Sequence, residues 1–174
     1  MISQLVTPRL ILRRARPDDV DDLHQVLSSP EAMRWWSTTP HEAREKTAEW
    51  LESMIAAAPE TSDDFVIEAQ GRVIGKAGFW RLPEIGYILH PDYWGRGLAK
   101  EALTAVIDHV MVTRDIDAIT ADVDPSNAAS IRLLGRLGFE QTGAASRTWQ
   151  VGGVWMDSLY FGLDRDRWKS LKTP

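Results

Sequence analysis

Residues 85–110 read IGYILHPDYWGRGLAKEALTAVIDHV, and the stretch changes character halfway. Its first part alternates like a strand. Gly95 and Gly97 then interrupt it, and Leu98, Ala102, Val106 and Val110 recur at the helical period with Leu103 and Ile107 beside them. A strand that enters a helix through glycines presents unpaired N–H groups and the positive end of the helix dipole to an approaching anion. Arg96 and Lys100 put charge beside that turn. On its own the pattern also reads as a plain strand–helix turn. The P-loop pattern Gly-x4-Gly-Lys-Ser/Thr is absent, and Lys100 stands where a dinucleotide fingerprint needs its third glycine.

Working outward, the pattern predicts a first strand over residues 9–14 (RLILRR) and a short helix opened by Pro17 and Asp18. Thr39-Pro40-His41-Glu42 has the form of a capping box and predicts a second helix running to about Ala57. Its expected apolar face is Ala43, Thr47, Trp50, Leu51, Met54 and Ile55. Two apolar runs around Gln70-Gly71 predict a hairpin. AITADV, residues 118–123, reads as a short buried strand, and WMDSLYFGL near the end as a closing one. Between them, Asn127 and Ser130 open a helix with Ile131, Leu134 and Leu137 inward and Gly138 as its C-cap. The predicted class is α/β (α+β). It is one domain over residues 1–174, a mixed, mostly antiparallel sheet with one central parallel pair, flanked by helices.

Composition narrows the chemistry. The chain has no cysteine, which removes disulfides, thiolate metal ligands and a cysteine nucleophile. His24, His41, His90 and His109 show no metal-ligand spacing, so no metal is expected. A formal charge of −5 disfavours broad binding to nucleic acid or anionic membrane. The sequence has no apolar run near the ~20 residues that span a bilayer, and its start lacks the features of a signal peptide. A cytoplasmic protein is expected.

Asn127 and Ser130 lie one helical turn apart, so their polar groups can face one side together, although from the sequence alone an ordinary helix cap is the favoured reading of Asn127. The separated motifs TPRLILRR, GRVIGKAGF, IGYILHPDYWGRGLAKEA, SNAAS…LGF and the final strand with Asp157 and Tyr160 together resemble the GNAT superfamily of acyl-CoA-dependent N-acetyltransferases. They are most similar to the branch that acetylates ribosomal-protein N-termini. The resemblance covers nearly the whole chain, and it implies a strand splayed from its parallel neighbour with CoA lying in the gap.

The resemblance also implies roles. Trp94, Gly95, Arg96, Gly97, Leu98, Ala99 and Lys100 would form the pyrophosphate loop, with Trp94 where the superfamily pattern has Gln or Arg. Tyr87, Ile88 and Leu89 would offer backbone to pantetheine, and Asn127 would bond the same arm. An amine would attack the thioester directly, with the Ile88 N–H as oxyanion donor and Ser130, near the sulfur, as the acid. Many family members carry a Tyr for that last task where this chain has Leu134. Glu84 shares strand parity with Gly86 and Ile88 and is the leading candidate for the base, ahead of Asp122, while His90 before a proline reads as structural. Eight tryptophans is a high count for this length. Trp35, Trp36, Trp80, Trp149 and Trp155 fall where the family builds its acceptor cleft, and on a mobile loop Trp35 and Trp36 would favour an aromatic-bearing acceptor. Acetyl-CoA is the implied co-substrate, a small-molecule amine or a peptide N-terminus the acceptor, and a homodimer a common family state. A non-catalytic acyl-CoA-binding module is the alternative, and a generic nucleotide-binding domain is disfavoured.

Overall fold

A computed structural model describes residues 4–172; residues 1–3 and 173–174 of the expected domain lie outside the described residues. The strands are β1 (Gln4–Val6), β2 (Ile11–Arg13), β3 (Asp63–Ala69), β4 (Arg72–Arg81), β5 (Glu84–Leu89), β6 (Ala118–Val123), β7 (Glu140–Val151) and β8 (Val154–Asp164). The helices are α1 (Val20–Leu27), α2 (Arg44–Ala56), α3 (Leu98–Thr113), α4 (Ala128–Arg136) and α5 (Arg165–Lys172). The eight strands form one sheet in the order β1-β2-β3-β4-β5-β6-β8-β7. Every neighbouring pair is antiparallel except β5 and β6, the expected central parallel pair.

Helix α3 packs the main core. Ala102, Leu103, Val106, Val110 and Met111 are fully buried against Phe65, Ile67, Phe79 and Ile119. Each large apolar side chain buried this way contributes about 1.5–3 kcal/mol. A second cluster joins Leu23 of α1 and Leu51 and Met54 of α2 to Val66 and Val73. The hairpin forms as read, with Gln70 at φ 52° and Gly71 at φ 77°, the left-handed pair that a tight two-residue connection needs. Helix α4 ends as read too: Gly138 sits at φ 93°, and the Phe139 N–H bonds to the Leu134 carbonyl at 3.0 Å.

Four local expectations change. The first strand is only Ile11–Arg13, preceded by β1, which pairs with it. Helix α2 begins at Arg44 rather than Pro40, because His41 is drawn inward by tertiary contacts. Its N–H satisfies the carbonyl of Leu27 at the open end of α1, 2.8 Å away, and its Nδ1 meets Thr47 Oγ1 at 2.9 Å. Ala43 and Ile55 are exposed, and the buried face of α2 is Thr47, Leu51 and Met54. Strand β7 and helix α5 were not anticipated, and β8 enters between β6 and β7.

Candidate active site

Strand β5 carries the site because its two edges are treated differently. Toward β4 it pairs without a break from Gly86 to Leu89, Gly75↔Leu89, Lys76↔Ile88, Ala77↔Tyr87 and Gly78↔Gly86, and after an irregularity again at Arg81↔Glu84. Toward β6 it has a single register pair, Glu84↔Thr120, supported by the Thr120 N–H on the Pro83 carbonyl at 3.0 Å. Beyond that pair the strands part, which is the splay expected of them.

The ladder decides which amides face the gap. The His90 N–H bonds to Ile74 O at 2.8 Å, and a Cβ built on Gly75 would fall 2.0 Å from the Ile88 carbonyl oxygen. Residues 88 and 90 therefore turn their peptide groups toward β4, and alternation turns those of Tyr87 and Leu89 toward the gap. This corrects the expectation for Ile88, whose N–H is committed to the β4 side. The Leu89 carbonyl is taken by the indole Nε1 of Trp94 at 2.9 Å. Trp94 thus closes the end of the strand edge from within the glycine turn, a role that its side chain alone supplies.

The turn itself is held by the N-terminal segment. Gly95 and Gly97 sit at φ 70° and 75°, a conformation that other residues adopt only under strain, and α3 starts immediately after. Arg9 donates through Nη1 to the Arg96 carbonyl at 2.8 Å and through Nε to Glu101 Oε2 at 2.6 Å. Thr7 Oγ1 donates to Glu101 Oε1 at 2.6 Å. Burial pushes the Glu101 carboxyl up, but the hydrogen bonds from Thr7 and Arg9 outweigh it and hold the group below the usual range. Arg96 and Lys100 stay exposed, the guanidinium of Arg96 lying 5.5 Å from the Tyr93 ring centre. Arg9 and Glu101 were missed from sequence; each appears there only inside its own short motif.

Across the gap, Asn127 caps α4 by accepting the Ser130 N–H on Oδ1 at 3.2 Å, leaving its NH2 group outside the cap. The Ser130 hydroxyl meets the Tyr87 phenol at 2.5 Å. Burial pushes the Tyr87 pKa up, and the bond to Ser130 offsets only part of that. Leu134 is fully buried in the core.

Glu84 and Ile88 share a face of β5, and Trp36 packs on that face with Val26, Leu27, Met33 and Ile88. Glu84 lies on the rim, open to solvent on one side. Burial of its other side, and then the neighbouring Asp122 charge, push its pKa up. Burial pushes Asp122 up as well, opposed by the Ser158 hydroxyl bonding to Oδ2 at 2.9 Å. Among the described residues, Asp122 Oδ1 and Trp149 Nε1 are buried without a hydrogen-bond partner. Trp35 ends a 3-10 turn at Ala32–Trp35, and the half-buried Trp36 packs against the cluster of Val26, Leu27, Met33 and Ile88. Trp80 and Trp155 are about half exposed at 49% and 47%. A Cβ on Gly152, at the tip of the β7–β8 hairpin, would come within 3.2 Å of Thr39, so that hairpin closes against the segment after Trp36. His90 is structural: its Nδ1 accepts from Asp92 N at 3.3 Å to open the turn into the loop. Among the described residues no group of His, Asp and Glu is gathered to hold a metal, and no helix is long and apolar enough to cross a membrane.

A family model described as an acetyltransferase (GNAT) domain matches residues 9–140. The chain belongs to the GNAT family. Within it, an N-acetyltransferase called p20 from Bacillus licheniformis, itself uncharacterized, is 30% identical over 93% of this chain and 96% of its own. The spermidine N(1)-acetyltransferase of Escherichia coli K12 is 26% identical over 85% and 82%. The solved structure of the ribosomal L7/L12 α-N-protein acetyltransferase RimL with coenzyme A superposes with a TM-score of 0.82 at 22% identity, covering 94% of this chain and 98% of that one. GNAT membership makes this protein an acyltransferase of the N-acetyltransferase class, and the superposition shows a shared fold.

Proposed function

We propose that this protein transfers an acetyl group from acetyl-CoA to a primary amine, carried by a small molecule or a peptide N-terminus. The observation that carries the reading is the single-pair seam between β5 and β6, which opens toward the glycine turn before α3. A pyrophosphate fits the free N–H groups at Gly95–Lys100, with Arg96 and Lys100 beside them. The pantetheine arm fits the gap-facing backbone of Tyr87 and Leu89 and the NH2 of Asn127.

The chemistry follows from charge. The amine must lose a proton before attack, and Glu84 at the gap's rim, directly or through water, is placed to take it, with Asp122 beside it. The nitrogen lone pair forms the C–N bond while the carbonyl oxygen gains charge. A gap-facing amide, at Tyr87 or Leu89, stabilises that oxyanion in place of the Ile88 amide. The C–S bond then breaks. A thiol has a pKa of about 8.5, so the leaving sulfur needs only the Ser130 hydroxyl. Two adjacent carboxyl groups also favour an acceptor that arrives as a cation. Relatives that act on spermidine and on ribosomal-protein alanine support both acceptor types. Leu134 at the usual acid position supports a second reading, acyl-CoA binding without turnover.

Thermal unfolding with acetyl-CoA, against ATP and NAD, tests the cofactor. Ligand at 100 times its Kd adds about 2.7 kcal/mol and raises the midpoint by several degrees. No rise at millimolar acetyl-CoA would overturn the reading. Thiol release with a panel of amines then separates an enzyme from a binding module.

A further inference from the structure

Ser130 carries one hydroxyl proton and two lone pairs, and where that proton points decides whether it can serve a departing sulfur. Its main-chain N–H is already spent on the cap, bonded to Asn127 Oδ1. Among the described residues its hydroxyl bonds to a single group, the phenol of Tyr87, and that phenol in turn bonds to Ser130 alone. The two residues stand 43 positions apart, on β5 and at the start of α4, on opposite sides of the gap. Tyr87 therefore has two parts with different tasks: a peptide group turned toward the gap and a side chain that crosses to α4.

We propose that the Tyr87 phenol is a positioning residue that fixes Ser130 as the proton donor to the leaving thiolate. A phenol is more acidic than an alcohol, so in a short bond between the two the phenol donates and the serine oxygen accepts. The Ser130 proton is then left free to point into the gap. When the C–S bond breaks, sulfur keeps the electron pair and draws the Ser130 proton toward itself. The Tyr87 O–H offsets the charge that grows on Oγ as this happens. Burial raises the phenol pKa and keeps it a donor through the neutral and mildly alkaline range. The bond also explains how a chain with Leu134 in place of a tyrosine can keep its leaving-group assistance: the phenol arrives from the strand instead of the helix.

The proposal rests on the acetyl-transfer reading, and the test separates the two. Thiol release is followed for wild type, Tyr87→Phe, Ser130→Ala and the double variant. Tyr87→Phe keeps the ring, and should lower kcat about tenfold with acetyl-CoA KM and the unfolding midpoint near wild type. The double variant should be no slower than Ser130→Ala, because the phenol acts only through that hydroxyl. Difluorotyrosine at position 87 keeps the shape but acidifies the phenol, and should move the alkaline limb of kcat to lower pH. An unchanged kcat in Tyr87→Phe, effects that add in the double variant, or a loss of acetyl-CoA affinity and midpoint in step with rate would each overturn the proposal. Wild type that releases no thiol with any amine would overturn the acetyl-transfer reading, and the proposal with it.

Discussion

The two edges of β5 face the same sheet and end differently. Toward β4 the ladder closes so tightly that Gly75 has the Ile88 carbonyl oxygen 2.0 Å from where a Cβ would sit and Leu89 Cα at 2.9 Å. Toward β6 the register holds at Glu84↔Thr120 and is then given up. One edge spends its amides on stability; the other leaves those of Tyr87 and Leu89 without a strand partner. Unpaired amides at a sheet edge are costly unless something bonds them, and here one group already has its answer, the Leu89 carbonyl on the Trp94 indole. The comparison shows that the site is made by withholding pairing, on a strand made rigid from the other side.

The closed edge of β5 is the more sensitive of the two. Gly75→Ala forces a Cβ into backbone that cannot yield, and should cost about 4 kcal/mol or more, enough to leave little folded protein. The same change at Gly86, where the nearest atom is Lys76 Nζ at 4.0 Å, should cost under about 0.5 kcal/mol; denaturant midpoints of the two variants check this directly.

At the open edge the effects are smaller and fall on the ligand. Arg9→Ala removes the bond to the Arg96 carbonyl and the pair with Glu101, freeing the glycine turn. We expect acetyl-CoA affinity to fall about tenfold, roughly 1.4 kcal/mol, while stability changes by less than about 1 kcal/mol, because the Arg9 side chain is half exposed and Glu101 keeps its bonds from Thr7 and the residue 9 N–H. Titration calorimetry and urea melts report the two numbers separately, and an unchanged affinity would remove Arg9 from the site.

The smallest effect is a pH slope at the rim. Glu84 and Asp122 have pKa values raised above their ordinary 4.5 and 3.8. A carboxyl raised in the folded state favours folding below its ordinary value, and that contribution is lost as pH climbs through the raised one. The contribution of these two groups to the unfolding midpoint should therefore fall as pH rises through this window. Activity should run the other way, since Glu84 takes a proton only once ionised. Glu84→Gln should flatten part of the stability slope and remove an acid limb from the kcat/KM profile; a limb that survives would assign the base elsewhere.

The order of elements around the glycine turn was readable because each carries its own period: alternation in β5, the helical stripe in α3, the left-handed pair Gln70-Gly71 between β3 and β4. Strand β7 was not readable. Its residues Glu140–Val151 are nearly all exposed or half-exposed, so no apolar alternation marks it, and pairing with β8 alone makes it a strand. His41 shows the opposite failure, a good local helix start overruled by one buried backbone bond to Leu27. In the candidate site, the glycines announced the positive-φ turn before α3. The Tyr87–Ser130 and Arg9–Glu101 bonds span 43 and 92 positions, and no local pattern records them.

The strand–turn–helix at residues 85–110, its positive-φ glycines, the cap at Asn127 and the absence of cysteine chemistry were therefore all legible along the chain. Each of these follows from short-range sterics and hydrogen bonding. The departure of β6 from β5 after one pair, the turning of the Tyr87 and Leu89 peptide groups rather than that of Ile88 toward the gap, and the hold of Arg9 on the turn came from the assembled fold. Those outcomes depend on which edge of a strand finds a partner, and packing across the whole sheet sets that.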